Sequence, residues 1–265
     1  MRAPVQSAFA VLRENNEQCV RTVPAARARR YSYGCHSGNS VRMRNLLQKL
    51  PFPVEFAVIM AGAFGYSSVV SALILAHLRG TGATSEIHAW RSVAFQIVTL
   101  VLLGAFLWAR GWKMKRVGLD SNWRDGAWGV GLAVASFLAV MATAMLVGSL
   151  LPHAIPHGTP AAIKPVLSPY VVGALVLVNA FYEEFFAAGY VATALKEKGH
   201  PDLAINIGVA IRVVVHLFQG VAGVLMMIPI GLLFGTYYVK TGRLWPLIVA
   251  HTLLNAWSFA PYIRW

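Results

Sequence analysis

The chain has 265 residues, 57% of them hydrophobic and only 12% charged, with mean hydropathy +0.58 and a net charge of +13. A soluble domain carries about twice that charge fraction, so this composition excludes an ordinary soluble enzyme. The apolar runs are roughly 20 residues long and lack strand alternation, which excludes a membrane barrel and leaves an all-α, polytopic transmembrane helical bundle. No basic motif interleaved with aromatics is present, so the positive balance points to cytoplasmic loops and anionic lipid headgroups and not to nucleic acid.

Residues 1–50 stand apart, with nine Lys/Arg against two Glu and no apolar run. They read as a basic, disordered segment, or as sequence ahead of a true start at Met43. Both cysteines, Cys19 and Cys35, fall there, so no disulfide framework or thiolate site is expected in the membrane part. Residues 51–265 form the expected membrane domain, with candidate spans near 55–78, 91–110, 126–151, 170–195, 203–220, 222–239 and 244–262. An eighth span remains open. The fifth and sixth are short, Gly220 and Gly223 make a tight break between them, and Pro229 is placed to kink the sixth. Trp90, Trp108, Trp112, Trp128 and Trp245 lie near span ends, where indoles anchor at the headgroups.

Loop charge sets the orientation. With a cytoplasmic N-terminus, Arg110, Lys113, Lys115, Arg116 and Arg124, then Lys196 and Lys198, then Lys240 and Arg243 all fall inside, and the loop 152–169 outside carries only Lys164. That is the positive-inside pattern.

Few polar groups remain at depth. Glu183 and Glu184 sit side by side in Tyr170–Leu195, a stretch with no other charge. A carboxylate at the bilayer centre costs about 2.5–3.5 kcal/mol, so a retained pair marks a functional site by default. Asn179 and Glu183, Arg212 and His216, and His251 and Asn255 are each four residues apart, so each pair shares a helix face. At 1.5 Å per residue the three pairs lie within about 10 Å of one depth. Two imidazoles and a carboxylate can bind a divalent metal or deprotonate a water, and an asparagine can hold an oxyanion. This is the chemistry of hydrolysis. A structural ion pair between the glutamates and Arg212 is the competing reading, and a proton or ion pathway is another. Against the pathway, the polar groups cluster at one level and no internal repeat is visible.

Three ordered strings carry a family resemblance: YEEFFAAGYV at 182–191, HLFQG at 216–220 and GLLFGTYYVKTGRLWPLIVAHTLLN at 231–255, with RGWKMKRVGL and NWRDGAWGVGL upstream between 110 and 132. They resemble the CPBP family of CAAX and bacteriocin-processing intramembrane proteases, also called the abortive-infection family. The resemblance spans about residues 50–262 and implies a bundle of about seven or eight spans in a bacterial plasma membrane. It implies an endopeptidase acting on a membrane-associated peptide or protein. In that pattern Glu183 is the general base helped by His216, His251 and Asn255 hold a metal or the oxyanion, and Glu184 orients its neighbours. A divalent metal, zinc, on Glu183, His216 and His251 is one form of the mechanism, and a metal-free glutamate mechanism is the other. Two positions depart from the pattern. The motif arginine is Ala188, and Arg212 occupies a position that is aromatic in the family. Arg212 is therefore a candidate compensating cation for the glutamates. The alternative is an inactive member serving as a membrane binding or immunity protein.

Overall fold

The computed structural model describes residues 46–77, 85–150 and 167–263. The basic segment 1–45, with both cysteines, and the loop carrying Lys164 lie outside the described residues. Among the described residues the chain is helical, with an isolated bridge between Leu167 and Ile263. The helices are α1 (Phe52–Leu75), α2 (Glu86–Ala109), α3 (Arg124–Leu150), α4 (Pro169–Glu197), α5 (Pro201–Val215), α6 (Gly220–Thr241) and α7 (Trp245–Phe259). The all-α reading therefore holds.

Local chemistry explains most helix boundaries. Ser85 and Ser168 cap α2 and α4, their hydroxyls accepting from the amides of His88 and Val171. Pro53, Pro169, Pro201 and Pro246 stand in the first turns of their helices, where the missing N–H costs nothing. α6 ends at Gly242, which adopts the left-handed conformation.

Among the described residues five segments are long and apolar enough to cross a bilayer: α1, α2, α3, α4, and α6 with the turn before it. α5 and α7 have 15 residues each, about 22 Å of helix against a core of about 30 Å. α5 stops because the backbone leaves the helix at His216, makes a 3-10 turn over Leu217–Gln219, and reverses at Gly220 with φ 72°. The expected fifth span, 203–220, ran through this turn, since no strong helix breaker precedes Gly220.

α4 is the central helix. In its most apolar stretch 56% of residues are buried, against 11–22% in the other four long helices. It packs against α2 and α7, and its second half packs against α5. That half is a π-helix, Phe185–Ala192, and all eight residues are buried. Small side chains (Ala187, Ala188, Gly189, Ala192) let neighbours approach it closely. α5 and α6 form an antiparallel hairpin whose closest approach is at Gly231 and Gly235. A β-carbon at either would press on Val209 or Ile205.

One end of the bundle is clasped by backbone and ion pairs. The Leu244 amide donates to the Gly118 carbonyl at 2.9 Å, and Tyr238 Oη donates to the Val117 carbonyl at 3.0 Å. Arg243 pairs with Asp125, Arg116 pairs with Glu197, and Lys196 donates to the Val239 carbonyl. The Glu197 hydrogen bond raises the pKa of Arg116. The three basic loops of the positive-inside argument thus gather at one end. Glu55, in the first turn of α1, is buried there and accepts from Arg110, Trp112 and Tyr190. Trp112 is accordingly a core residue and not an interfacial anchor.

Gly118 is the critical point of the clasp. Its φ is 75°, and a β-carbon there would fall 2.0 Å from the Gly242 carbonyl oxygen. The conformation alone costs a non-glycine residue about 1–3 kcal/mol, before the collision. Gly118→Ala is expected to lower the thermal unfolding midpoint in detergent, and an unchanged midpoint would refute this role.

Candidate active site

The glutamate pair ends the α-helical part of α4, immediately before the π-helix. Glu184 points into the protein and is 0% exposed. An isolated carboxylate there would cost several kcal/mol, and the surrounding helices answer it. Arg212 Nη2, from the last turn of α5, donates to both carboxylate oxygens at 2.7 Å. His251, from α7, bonds through Nδ1 to Oε1 at 2.7 Å. An ionised carboxylate only accepts, so His251 Nδ1 carries the proton. The Phe234 ring of α6 lies 5.0 Å from the Arg212 guanidinium and meets the His251 ring edgewise at 6.4 Å.

Glu183 faces a different environment. Its side chain is 16% exposed. Oε1 accepts from Asn179 Nδ2 at 3.1 Å, and Asn179 Oδ1 accepts from Gln96 Nε2 at 2.6 Å. Oε2 lies 4.0 Å from both Arg212 Nη1 and His251 Nε2. That is beyond hydrogen-bond distance but is the separation that one shared water would span.

The structure thus gathers Glu183, Glu184, Arg212 and His251. His216 is attached less directly. It terminates α5, its Nδ1 donates to the Arg212 carbonyl at 2.8 Å, and its ring stacks on Phe218. No hydrogen bond or ion pair among the described residues joins His216 to either glutamate. Asn255 lies one turn beyond His251 on α7 and makes no hydrogen bond among the described residues.

The zinc set Glu183, His216 and His251 does not assemble. Among the described residues no three His, Cys, Asp or Glu side chains converge as metal ligands. His251 and His216 are each engaged through Nδ1 and keep Nε2, but the Arg212 cation stands 4.0 Å from Glu183 Oε2. As placed, the three side chains do not converge on a divalent-metal site.

The comparisons agree with the motif reading. Residues 165–257 match the family described as "Type II CAAX prenyl endopeptidase Rce1-like". Over these residues, 93 of the 265, the chain is similar to that family. The match and the long apolar helices together make it an integral membrane protein. No curated protein and no solved structure matches the chain.

Three contributors escaped the sequence reading. Gln96 is a lone amide in an otherwise apolar span, with no periodic partner to flag it. Phe234 looked like any apolar residue. Ser71 of α1 accepts from the Phe218 amide at 2.8 Å and pins the turn beside His216, and a small hydroxyl in a span carries no signal of its own.

Removing the guanidinium leaves Glu184 buried without its cation, with only His251 to bond it, a loss of about 3–5 kcal/mol. Arg212→Phe is expected to destabilise the protein by about that amount in chemical or thermal unfolding. Adding Ala188→Arg, which restores the family pattern, is expected to recover most of it. A double variant no more stable than Arg212→Phe would show that the two arginine positions are not equivalent.

Proposed function

We propose that the protein is an intramembrane endopeptidase that hydrolyses a membrane-associated peptide or protein by a water activated at Glu183. The observation that supports this most is the unequal treatment of the two glutamates. Arg212 and His251 bond to Glu184 on both oxygens, whereas Glu183 keeps one oxygen, Oε2, with no hydrogen bond among the described residues. A charge already neutralised by a bidentate contact is a poor base. A partly exposed carboxylate with a free oxygen beside a histidine nitrogen is a good one.

In this reading water sits between Glu183 Oε2 and His251 Nε2. Glu183 takes its proton as the oxygen attacks the scissile carbonyl, and returns it to the leaving amine. Glu184 fixes the His251 tautomer and ring plane through Nδ1. Asn255, one turn from His251 and unbonded among the described residues, supplies an amide donor to the oxyanion. His216 offers its remaining nitrogen, Nε2, to the substrate. It makes no hydrogen bond to Glu183 among the described residues and so is assigned to the substrate, whereas the motif implies a helper of the base. The chain would sit in the plasma membrane with the clasped, basic end in the cytoplasm.

The inactive reading rests on the missing arginine at Ala188. The contact between Arg212 and Glu184 weakens that ground, because the buried charge keeps a guanidinium partner.

A prenylated CAAX peptide is the first probe to try, given the family match, with a non-prenylated membrane peptide beside it. Glu183→Gln is expected to abolish cleavage, a loss of at least about 10²-fold, while the unfolding midpoint stays near that of wild type. Cleavage at the wild-type rate by that variant would refute the base assignment.

A further inference from the structure

Gln96 lies on α2, outside the segment that matches the family. It is 9% exposed, in a helix that otherwise turns mostly apolar residues outward. Packing does not explain it. A methionine would fill the same volume without a polar end, whereas Gln96 leaves its Oε1 buried with no partner among the described residues. A buried orphan acceptor is unfavourable, so the other end of the amide must be needed.

That other end donates to Asn179, and the direction of the chain is forced. A carboxylate only accepts, so the Asn179 group facing Glu183 must be Nδ2. Its Oδ1 then faces α2 and can only be met by a donor, Gln96 Nε2, at 2.6 Å. Without that donor, nothing at this end would hold the Asn179 amide against a flip that presents Oδ1 to the carboxylate. With it, Glu183 Oε1 is engaged, and Oε2 is the oxygen left on the side of His251 Nε2.

We propose that Gln96 is a positioning residue: it acts through Asn179 to hold the Glu183 carboxylate with Oε2 turned toward His251. This rests on the reading of Glu183 as the base. Gln96 touches neither water nor substrate, so its effect belongs in kcat and in the state of the Glu183 carboxylate.

The test uses the full chain in detergent micelles, with a fluorogenic prenylated CAAX peptide as probe and Q96M, Q96L, N179L and Q96M/N179L as variants. Infrared difference spectra assign the Glu183 carboxylate stretch as the band lost in E183Q. Q96M is expected to lower kcat about tenfold, the size of one lost hydrogen bond, with KM unchanged. Q96M/N179L is expected to be no slower than N179L, because both lesions break one chain. The Glu183 band should shift in Q96M in the same direction as in N179L.

Wild-type kcat in both Q96M and Q96L, or losses from Q96M and N179L that multiply in the double variant, would overturn the proposal. So would a Glu183 band that moves in N179L and stays in place in Q96M and Q96L, and this readout decides the matter even where no variant cleaves the probe. The two readings fail separately. Cleavage by E183Q removes the base assignment and leaves the infrared result standing, whereas an inactive E183Q beside a wild-type Q96M removes only the role of Gln96.

Discussion

The burial of Glu184 is the constraint around which the rest is arranged. A carboxylate with no exposure, at the depth of a membrane, is tolerated only with a cation and with its lone pairs filled. Each partner comes from a different helix, Arg212 from α5 and His251 from α7. The cluster therefore acts as a three-way tie on α4. It also divides the labour of the pair. One guanidinium faces two carboxylates, and its short bonds go to Glu184 while Glu183 stays 4.0 Å away. The neutralised charge ties helices together, and the under-compensated one, Glu183, is the residue proposed as the base.

Holding that tie demands accurate placement of two short helices. α7 begins at the clasp, where the Leu244 amide is fixed to the Gly118 carbonyl, and His251 follows less than two turns later. α5 is held along its length by α6, which approaches it through Gly231 and Gly235, and at its end by the turn pinned to Ser71. The short helices are the ones that carry Arg212, His216, His251 and Asn255. At 15 residues each they are shorter than a usual span, and Arg212 and His251 on them reach the glutamates of α4. The π-helix after Glu184 belongs to this economy, since such segments recur at functional sites.

Much of this was legible in the residues. Composition alone required helices in a membrane. The isolated glutamate pair and the polar pairs spaced four apart pointed to the three helices on which Glu184, Arg212 and His251 meet, whereas His216 and Asn255 make no hydrogen bond to either glutamate among the described residues. What escaped has physical reasons. The end of α5 was missed because Val213, Val214, Val215, Leu217 and Phe218 are apolar on both sides of His216, so hydropathy runs straight through the turn. Glu55 carries no signal of its own at the start of a span, yet it is buried with Arg110, Trp112 and Tyr190 as partners, residues far away in sequence. Gln96 was invisible because one amide in an apolar helix has no period. The depth estimate placed His216 within about 10 Å of the level of Glu183 and could not say which way its ring turned, and the ring turned to the Arg212 carbonyl.

The two departures from the family pattern can be read as one rearrangement. An arginine at position 188 would lie one helical turn beyond Glu184 on the same helix and would tie α4 only to itself. At position 212 the guanidinium comes from another helix, so the same charge pairing also links α4 to α5. The backbone of that residue is used as well, since its carbonyl accepts from His216. One residue thus connects the carboxylate of the first motif to the histidine of the second. Phe234 of α6 places its ring beside the guanidinium and against His251. A guanidinium at 212 makes a bond between helices where one at 188 would make a bond within a helix, and it leaves none of Glu184, Arg212 and His251 without a partner.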